Sequence, residues 1–410
     1  MHANPPVILL IIPNLSPGGA QNVFKQHYEY LSRYYSLHGC VFNWDGTQPT
    51  QWPASVTSLD VSGGRSVLGK IRFFLLRIAR LRKLKRKLQV SVSISHLEGA
   101  DFINVLSGIG EKKVLWIHGT KRFDKAIDGW LGNIRKNLLI PRLYRNADCI
   151  VTVSRAIAVE LAESYPALAN KLKTIYNGID LSYIQEQRMK GTNELYQVLC
   201  AKHFVIITHC RLAPQKNIRG LIQLAWLCKN EKIPVKWVIL GDGELRNELT
   251  KQCDKLSLDY YAEWRDEIWT EDKQVYFLGY QINPFPFLDK AKLYIMSSRW
   301  EGFPLALCEA LACSLPIISV DCNTGPREIL APGEKVLPET NGPEHAQYGV
   351  LMPHLNHESL PIWVKELKEL ILDDSRLSNY KIATSQRVKD LSIDKSLTEV
   401  NLIVKSVSEV

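Results

Sequence analysis

The chain has 410 residues, 46% of them apolar and 23% charged, a balance that excludes a long disordered tail and a size that exceeds what one hydrophobic core usually serves. Nine cysteines, an odd number without close pairs at metal-ligand spacing, fit reduced thiols of a cytosolic protein rather than a disulfide framework or a zinc site. The formal charge of +9 is matched by one segment, residues 70–87, which holds nine lysines and arginines and no acid.

In chain order, the first apolar run is VILLII at 7–12. It is short for a signal-sequence core, lacks a cationic start and stops at Pro13, so a buried strand is expected instead of a secretion signal. SPGGAQ follows and opens a helix. Gly18 and Gly19 there either expose backbone N–H groups to an anion at a positive helix end or simply make a tight turn. An amphipathic segment over 20–35 leads to the strand CVFNW and then to the basic segment. Its apolar residues Ile71, Phe74, Leu75, Ile78 and Leu81 recur at helical spacing, which predicts a basic amphipathic helix. The charged face is either solvated or rests on an anionic membrane surface, where each nearby cation contributes about 1 kcal/mol. Nucleic acid is not expected as a partner, because no recognised binding module accompanies the charge.

VSVSI, a helix near Ala100, KVLWI and CIVTVS complete the first half. His118 comes directly after KVLWI, where a polar group would face a ligand, although a lone histidine serves structure there as readily as chemistry. After NGID at 177–180 a linker is expected near 180–200. The rhythm then restarts with FVIITH, WVIL, VYFLG, LYIM and PIISV. Alternating strands and helices imply parallel sheets with crossover helices. The expected architecture is α/β: two doubly wound, Rossmann-like domains, 1–180 and 181–390, facing across a cleft, with a terminal helix at 391–410 crossing back to the first domain. No stretch reaches membrane-spanning length. Ligands of such sheets bind at the carboxyl ends of the strands.

Arg211 and Lys216 lie in the loop after FVIITH, where two cations can converge on phosphates or remain solvated. Asp242, in the Gly-rich turn after WVIL, is not part of an aspartate-x-aspartate pair, so no metal-diphosphate motif is present. Gly325 and Pro326 start a further helix, for which Glu328 is an adequate first-turn acid. In RWEGFPLALCEALACSLP, Glu301 occupies a loop and Glu309 the helix that Pro304 is suited to begin. Apolar neighbours surround Glu309, so its carboxylate needs donors, which either an arginine or a sugar-like ligand with hydroxyls could supply.

The ordered set SPGGAQNVF, LWIHGT, IYNGID, HCRLAPQKNIRGLI, LGDGELRNEL, VYFLGY and SRWEGFPLALCEALACSLPIISVDCNTGPREIL resembles the retaining nucleotide-sugar glycosyltransferases of the GT-B fold with paired glutamates seven residues apart, the group 1 or family 4 type. The resemblance implies that Glu309 binds donor ribose hydroxyls and Glu301 the transferred sugar. It implies that the Gly302–Phe303–Leu305 segment offers backbone donors to sugar hydroxyls or phosphate, and that Arg211 and Lys216 neutralise the diphosphate leaving group. Gly18 and Gly19 would admit the diphosphate and acceptor, and His118 would touch the donor sugar. A UDP- or GDP-sugar donor, a glycan or lipid-linked acceptor and no metal or other cofactor follow from the same likeness, while the basic helix at 70–87 motivates a cytoplasmic site at the membrane face. Pro304 stands where a second glycine is common in the family, and 257–274 looks like an enlarged connection. A nucleotide-sugar epimerase or hydrolase, or a catalytically silent scaffold subunit, are the competing readings.

Overall fold

The computed structural model describes residues 6–16, 18–44, 52–64, 66–121, 130–265, 268–333, 336 and 338–409. They form two units, Met1–Gly178 with Asp394–Val410, and Ile179–Ile393. Each is an α/β unit built on one mostly parallel sheet. The first contains β1 (Val7–Ile12), β2 (Ser36–Val41), β3 (Val56–Ser58), β4 (Val92–His96), β5 (Lys112–Ile117), β6 (Cys149–Thr152) and β7 (Leu172–Thr174), in the order β3-β2-β1-β4-β5-β6-β7. Every neighbouring pair is parallel. Ile8, Leu9, Leu10, Ile11 and Ile12 are fully buried, because helices cover both faces of a parallel sheet and the central strand must be apolar on both.

The second unit contains β8 (Phe204–His209), β9 (Val235–Leu240), β10 (Tyr260–Ala262), β11 (Val275–Phe277), β12 (Leu293–Met296), β13 (Ile317–Val320), β14 (Glu344–Ala346) and β15 (Gly349–Met352). Their order is β10-β11-β9-β8-β12-β13-β15-β14, parallel except for the edge hairpin of β14 with β15. The strand order reverses between β1 and β4 in one sheet and between β8 and β12 in the other. At such a switch point the loops leaving adjacent strands diverge to opposite sides and open a crevice, so the two switch points locate where each unit can bind.

The segment expected as a linker, 180–200, is instead two capped helices, Leu181–Arg188 and Glu194–Lys202. Asp180 accepts from Tyr183 N–H at 2.9 Å, and Asn193 from Tyr196 N–H at 2.8 Å. Tyr196 is fully buried and donates its hydroxyl to the Phe287 carbonyl, which seats the second helix in the core. The enlargement at 257–274 contributes β10, which extends the sheet beyond β11, and its Trp269 packs on Tyr276 at 4.8 Å between ring centroids.

The basic segment is the helix α2 (Val67–Leu88) that the spacing predicts, preceded in the first unit by α1 (Gly19–Leu31) and followed by α3 (Glu98–Leu106). Its charges are not all at the surface. Lys85 points inward, with Nζ at 2.6 Å from Glu111 Oε1, 2.7 Å from Asn104 Oδ1 and 2.8 Å from the Asn104 carbonyl. Arg77 donates to the Val61 carbonyl, and Arg82 to that of Leu106. Leu81 is buried, whereas Ile71 and Leu75, expected on the inner face, are 53% and 60% exposed beside Leu68 at 81%. No described helix is long and apolar enough to cross a membrane.

Both members of the Lys85–Glu111 pair have fully buried side chains. Removing one partner leaves a charge without water or counter-ion, so Lys85→Ala is expected to lower the unfolding free energy by about 3–5 kcal/mol in urea titrations. A loss below about 1 kcal/mol would show that the buried carboxylate finds other support.

Candidate active site

The second unit gathers its polar residues at the carboxyl ends of β8 and β12. From β8 the chain runs through His209, Cys210 and Arg211 to a short turn, Pro214–Lys216, then to Asn217, whose left-handed backbone (φ 53°) starts the helix Ile218–Asn230. From β12 it runs through Ser297, Arg299 and Glu301 to the helix Leu305–Ala312, with Pro304 as N-cap rather than first helical residue. Lys216 Nζ donates to Glu301 Oε1 at 2.6 Å. Backbone and amide bonds clamp the same two loops: Arg299 N–H to the Gln215 carbonyl at 2.8 Å, Gln215 Nε2 to the Trp300 carbonyl at 2.7 Å and Ser297 Oγ to the Lys216 carbonyl at 2.8 Å.

Burial disfavours the Lys216 charge, but the adjacent Glu301 carboxylate outweighs it and raises the ammonium above its ordinary range. Lys216 is therefore a permanent cation at neutral pH. Arg211 is exposed in the same loop; its carbonyl accepts from Ala213 N–H at 2.8 Å, and its guanidinium has no hydrogen bond or ion pair among the described residues. Gly241 lets the turn after β9 press against this loop: its φ is +135°, and a Cβ there would lie 1.9 Å from the Cys210 carbonyl oxygen. Gly325 does the same for the glutamate loop. Its φ is +92°, a Cβ would lie 2.6 Å from Pro304 Cδ and 2.9 Å from the Gly302 carbonyl oxygen, and the neighbouring Thr324 hydroxyl donates to the Glu301 carbonyl.

Glu309 lies in the second turn of its helix and is half-buried. Its Oε2 is 2.6 Å from His209 Nε2, while Oε1 has no hydrogen-bond partner among the described residues. The partner is thus a histidine at the end of β8, neither of the two donors considered from the sequence alone. Gly302 and Phe303 are buried under the loop and Leu305 is partly exposed at the helix start. His209, Gln215, Ser297 and Thr324 were not singled out from the sequence. The position of His209, last in a strand that feeds the switch point, was the available signal.

In the first unit Gly18 is the N-cap of α1 and Gly19 its first residue, with Gln21 Nε2 donating to Asn14 Oδ1 at 3.2 Å across the turn after β1. The Gly18 backbone is extended, with φ 177°. His118, partly exposed, follows β5, and its Nε2 is 2.9 Å from Nδ1 of His96, the last residue of β4. His27 from α1 and Trp116 from β5 close the cluster, with ring centroids 4.5 Å apart. Beneath it Ser95 Oγ donates to Asp101 Oδ1 at 2.7 Å, and Tyr144 OH to Asp101 Oδ2 at 3.2 Å.

Two family descriptions match the chain, "Glycosyl transferases group 1" over residues 198–351 and "Glycosyltransferase Family 4" over residues 17–183. The chain belongs to this group 1/family 4 type of glycosyltransferase, and the two Rossmann-like units are its GT-B fold. A protein of Methanocaldococcus jannaschii named as an uncharacterized glycosyltransferase is 27% identical over 89% of this chain and 87% of its own length. The N-acetylgalactosamine-N,N'-diacetylbacillosaminyl-diphospho-undecaprenol 4-alpha-N-acetylgalactosaminyltransferase of Campylobacter jejuni is 25% identical over 93% of this chain and 94% of its own. Among solved structures, Anabaena HepE in complex with UDP and glucose superposes with a TM-score of 0.70 at 18% identity, covering 97% of this chain and 99% of its own. Sucrose-phosphate synthase of Thermosynechococcus elongatus gives 0.76 at 13% identity, covering 98% and 99%.

Burial raises the Asp101 carboxyl from 3.8 to about 8, against smaller opposing effects of Lys121 and the Ser95 hydroxyl. The folded state keeps a proton that the unfolded chain has lost, so stability from neutral Asp101 is complete below the ordinary carboxyl value and is lost as pH rises through the raised one. Relative to Asp101→Asn, the unfolding free energy of the unaltered protein should fall by about 1 kcal/mol per pH unit over about pH 5–7. Parallel urea titrations of the two proteins at several pH values would reveal it; parallel curves would show that Asp101 ionises normally.

Proposed function

We propose that this enzyme is a retaining transferase that moves a hexose or N-acetylhexosamine from a UDP- or GDP-sugar to a glycan or lipid-linked glycan. The observation that carries the reading is the polar constellation at the β8–β12 switch point: a fixed ammonium at Lys216 paired with Glu301, an exposed guanidinium at Arg211 in the same loop, and Glu309 with Oε1 open to a ligand. The acceptor named for the C. jejuni relative and the UDP bound to HepE support the choice of substrates. In this reading the second unit holds the donor and the first unit the acceptor. Glu309 Oε1 takes ribose hydroxyls, Glu301 contacts the sugar, and the backbone N–H groups of Phe303 and Leu305 meet sugar hydroxyls or phosphate. By the family likeness Gly18 and Gly19 are assigned to the diphosphate and acceptor, and His118 to the donor sugar.

The chemistry follows from charge. Breaking the bond between the anomeric carbon and the phosphate oxygen leaves positive charge on the sugar and negative charge on the diphosphate. Lys216 and Arg211 stabilise the latter, each charge-assisted hydrogen bond contributing about 1.5–3 kcal/mol. Alignment of donor and acceptor supplies much of the remaining rate enhancement. The acceptor oxygen bonds to the anomeric carbon from the face the diphosphate leaves, and the acceptor proton passes to the departing phosphate oxygen. Configuration is retained without a covalent sugar–enzyme intermediate.

With a labelled donor and a membrane extract as acceptor source, transfer into a product of unchanged anomeric configuration is expected. Free sugar or epimerised nucleotide sugar without acceptor would reassign the activity, and a trapped glycosyl-enzyme would remove the front-face mechanism. Lys216→Ala should weaken donor binding and lower kcat/KM by about 100-fold, in the range of removing one charge-stabilising donor. Unchanged kinetics would take Lys216 out of the site.

We further infer that α2 docks this enzyme on an anionic membrane. Leu68, Ile71 and Leu75 are exposed along the first half of α2 with Lys70 and Arg72 between them, and Lys83, Arg86 and Lys87 are exposed toward its end. Phosphatidylglycerol-containing vesicles at low salt should retain the protein and lose most of it after Ile71→Asp with Leu75→Asp. Equal recovery of the two proteins, or no retention of either, ends this assignment.

A further inference from the structure

We propose that His96 is a positioning residue that fixes the tautomer of His118, so that His118 offers an N–H donor at Nδ1, and no ring base, to the substrate. The clause "to the substrate" rests on the transferase reading above; the tautomer itself does not.

β4 and β5 are adjacent and parallel, in register from Val92 opposite Lys112 to His96 opposite Trp116. Their carboxyl ends therefore bring the last residue of one strand beside the residue that follows the other, and His96 Nδ1 meets His118 Nε2 at 2.9 Å. A neutral imidazole carries one donor and one acceptor, so a single proton occupies this contact and two arrangements are open. If His118 donates, the His96 proton must sit on its Nε2. If His96 donates, its Nε2 carries only a lone pair, and the remaining proton of His118 sits on Nδ1.

The packing around His96 distinguishes them. His96 is fully buried, and its Nε2 has no hydrogen-bond partner among the described residues. Its ring lies edge-on to Phe24 at 5.6 Å, 5.2 Å from His27 and stacked on Trp116 at 5.8 Å. Trp116 Nε1–H, also buried and without a partner among the described residues, is already one unmet donor in this aromatic pocket. A proton on His96 Nε2 would add a second, and orphaned buried N–H groups are rarer and less tolerated than unmet acceptors. The arrangement with His96 as donor is therefore favoured. Both rings are neutral at pH 7, as this requires: burial pushes His118 down to about 3, with His27 and Lys121 adding to it, and drives His96 well below its ordinary value.

His118 Nε2 is then committed to His96, and Nδ1, which has no hydrogen bond among the described residues, carries the proton. Such a ring can donate to a sugar hydroxyl or phosphate oxygen. It cannot accept a proton from the acceptor, which agrees with the leaving phosphate taking that role.

The test uses the full chain with nitrogen-15 histidine. Two-bond nitrogen–proton spectra at pH 7, assigned with His96→Asn and His118→Gln, should show His118 and His96 each protonated at Nδ1. His96→Leu should shift His118 toward the Nε2-protonated form and lower kcat by about tenfold or more, with donor KM changed much less, as expected for a misoriented group. His96→Asn, whose amide can restore a donor near the lost Nδ1, should recover most of that turnover. An Nε2-protonated or cationic His118 in the unaltered protein overturns the proposal, as does an unchanged His118 tautomer in a folded His96→Leu. If His96→Leu does not fold, the unaltered protein's spectrum decides alone. Absence of any glycosyl transfer would defeat the transferase reading while leaving the tautomer result standing.

Discussion

Lys216 and Glu301 hold one another across two loops that leave neighbouring strands, and the geometry of that end of the second sheet depends on their attraction. Neither charge is well solvated, so separating them would cost several kcal/mol per uncompensated ion. The pair consequently fixes the distance between the loops, and the bonds from Arg299, Gln215 and Ser297 keep the backbone matched to it. Gly325 and Thr324 then press the third loop against the glutamate segment. What results is an ammonium whose position the fold itself fixes.

The first sheet solves the opposite problem at its corresponding end. Around that end His27 of α1, His96 of β4 and Asp101 of α3 are kept neutral by burial, with His118 partly exposed beside them. The second unit presents the Lys216–Glu301 pair, and the first presents neutral imidazoles next to the Lys121–Glu98 ion pair. Both follow from where polar residues can stand in a doubly wound sheet: central strand interiors admit small hydroxyls such as Ser93 and Ser95, and larger polar side chains stand at the strand ends or on flanking helices. Lys85 on α2 and Glu111 just before β5 form a buried ion pair whose remaining hydrogen-bonding capacity meets Asn104, Ser93 and the Ile109 N–H.

Much of this was legible in the sequence, for identifiable reasons. β1 and β12 begin and end where their apolar runs do, since a fully buried strand favours apolar residues throughout, whereas β8 continues two residues past its run to Thr208 and His209. The edge strands β3, β7, β10 and β14 are three residues each, too short for a pattern, and went unread. At 180–200 the capping residues Asp180 and Asn193 were visible, but a polar helix surface outweighed them. Counting charges located α2 correctly and could not tell that Lys85 turns inward, because its partner lies on another element. The same limit applies at the candidate site. Glu301, Glu309, Arg211 and Lys216 stood out by type and spacing, whereas the pairings of Glu309 with His209 and of Lys216 with Glu301 span 100 and 85 positions of sequence and are made only by the fold.

The final helix, Ile393–Ser408, gives the molecule an order of completion. Its Val400 and Val404 are fully buried and Asn401 accepts from the Tyr35 hydroxyl, so the unit that begins the chain contains residues that end it. The outgoing and returning backbones lie side by side, with Ile179 N–H bonded to the Leu391 carbonyl and Ile393 N–H to that of Ile179. On the ribosome, where folding follows synthesis, the second unit has all its residues while the first still lacks its last helix. The first unit thus completes its core after the second, because Val400 and Val404 reach it only with this last helix.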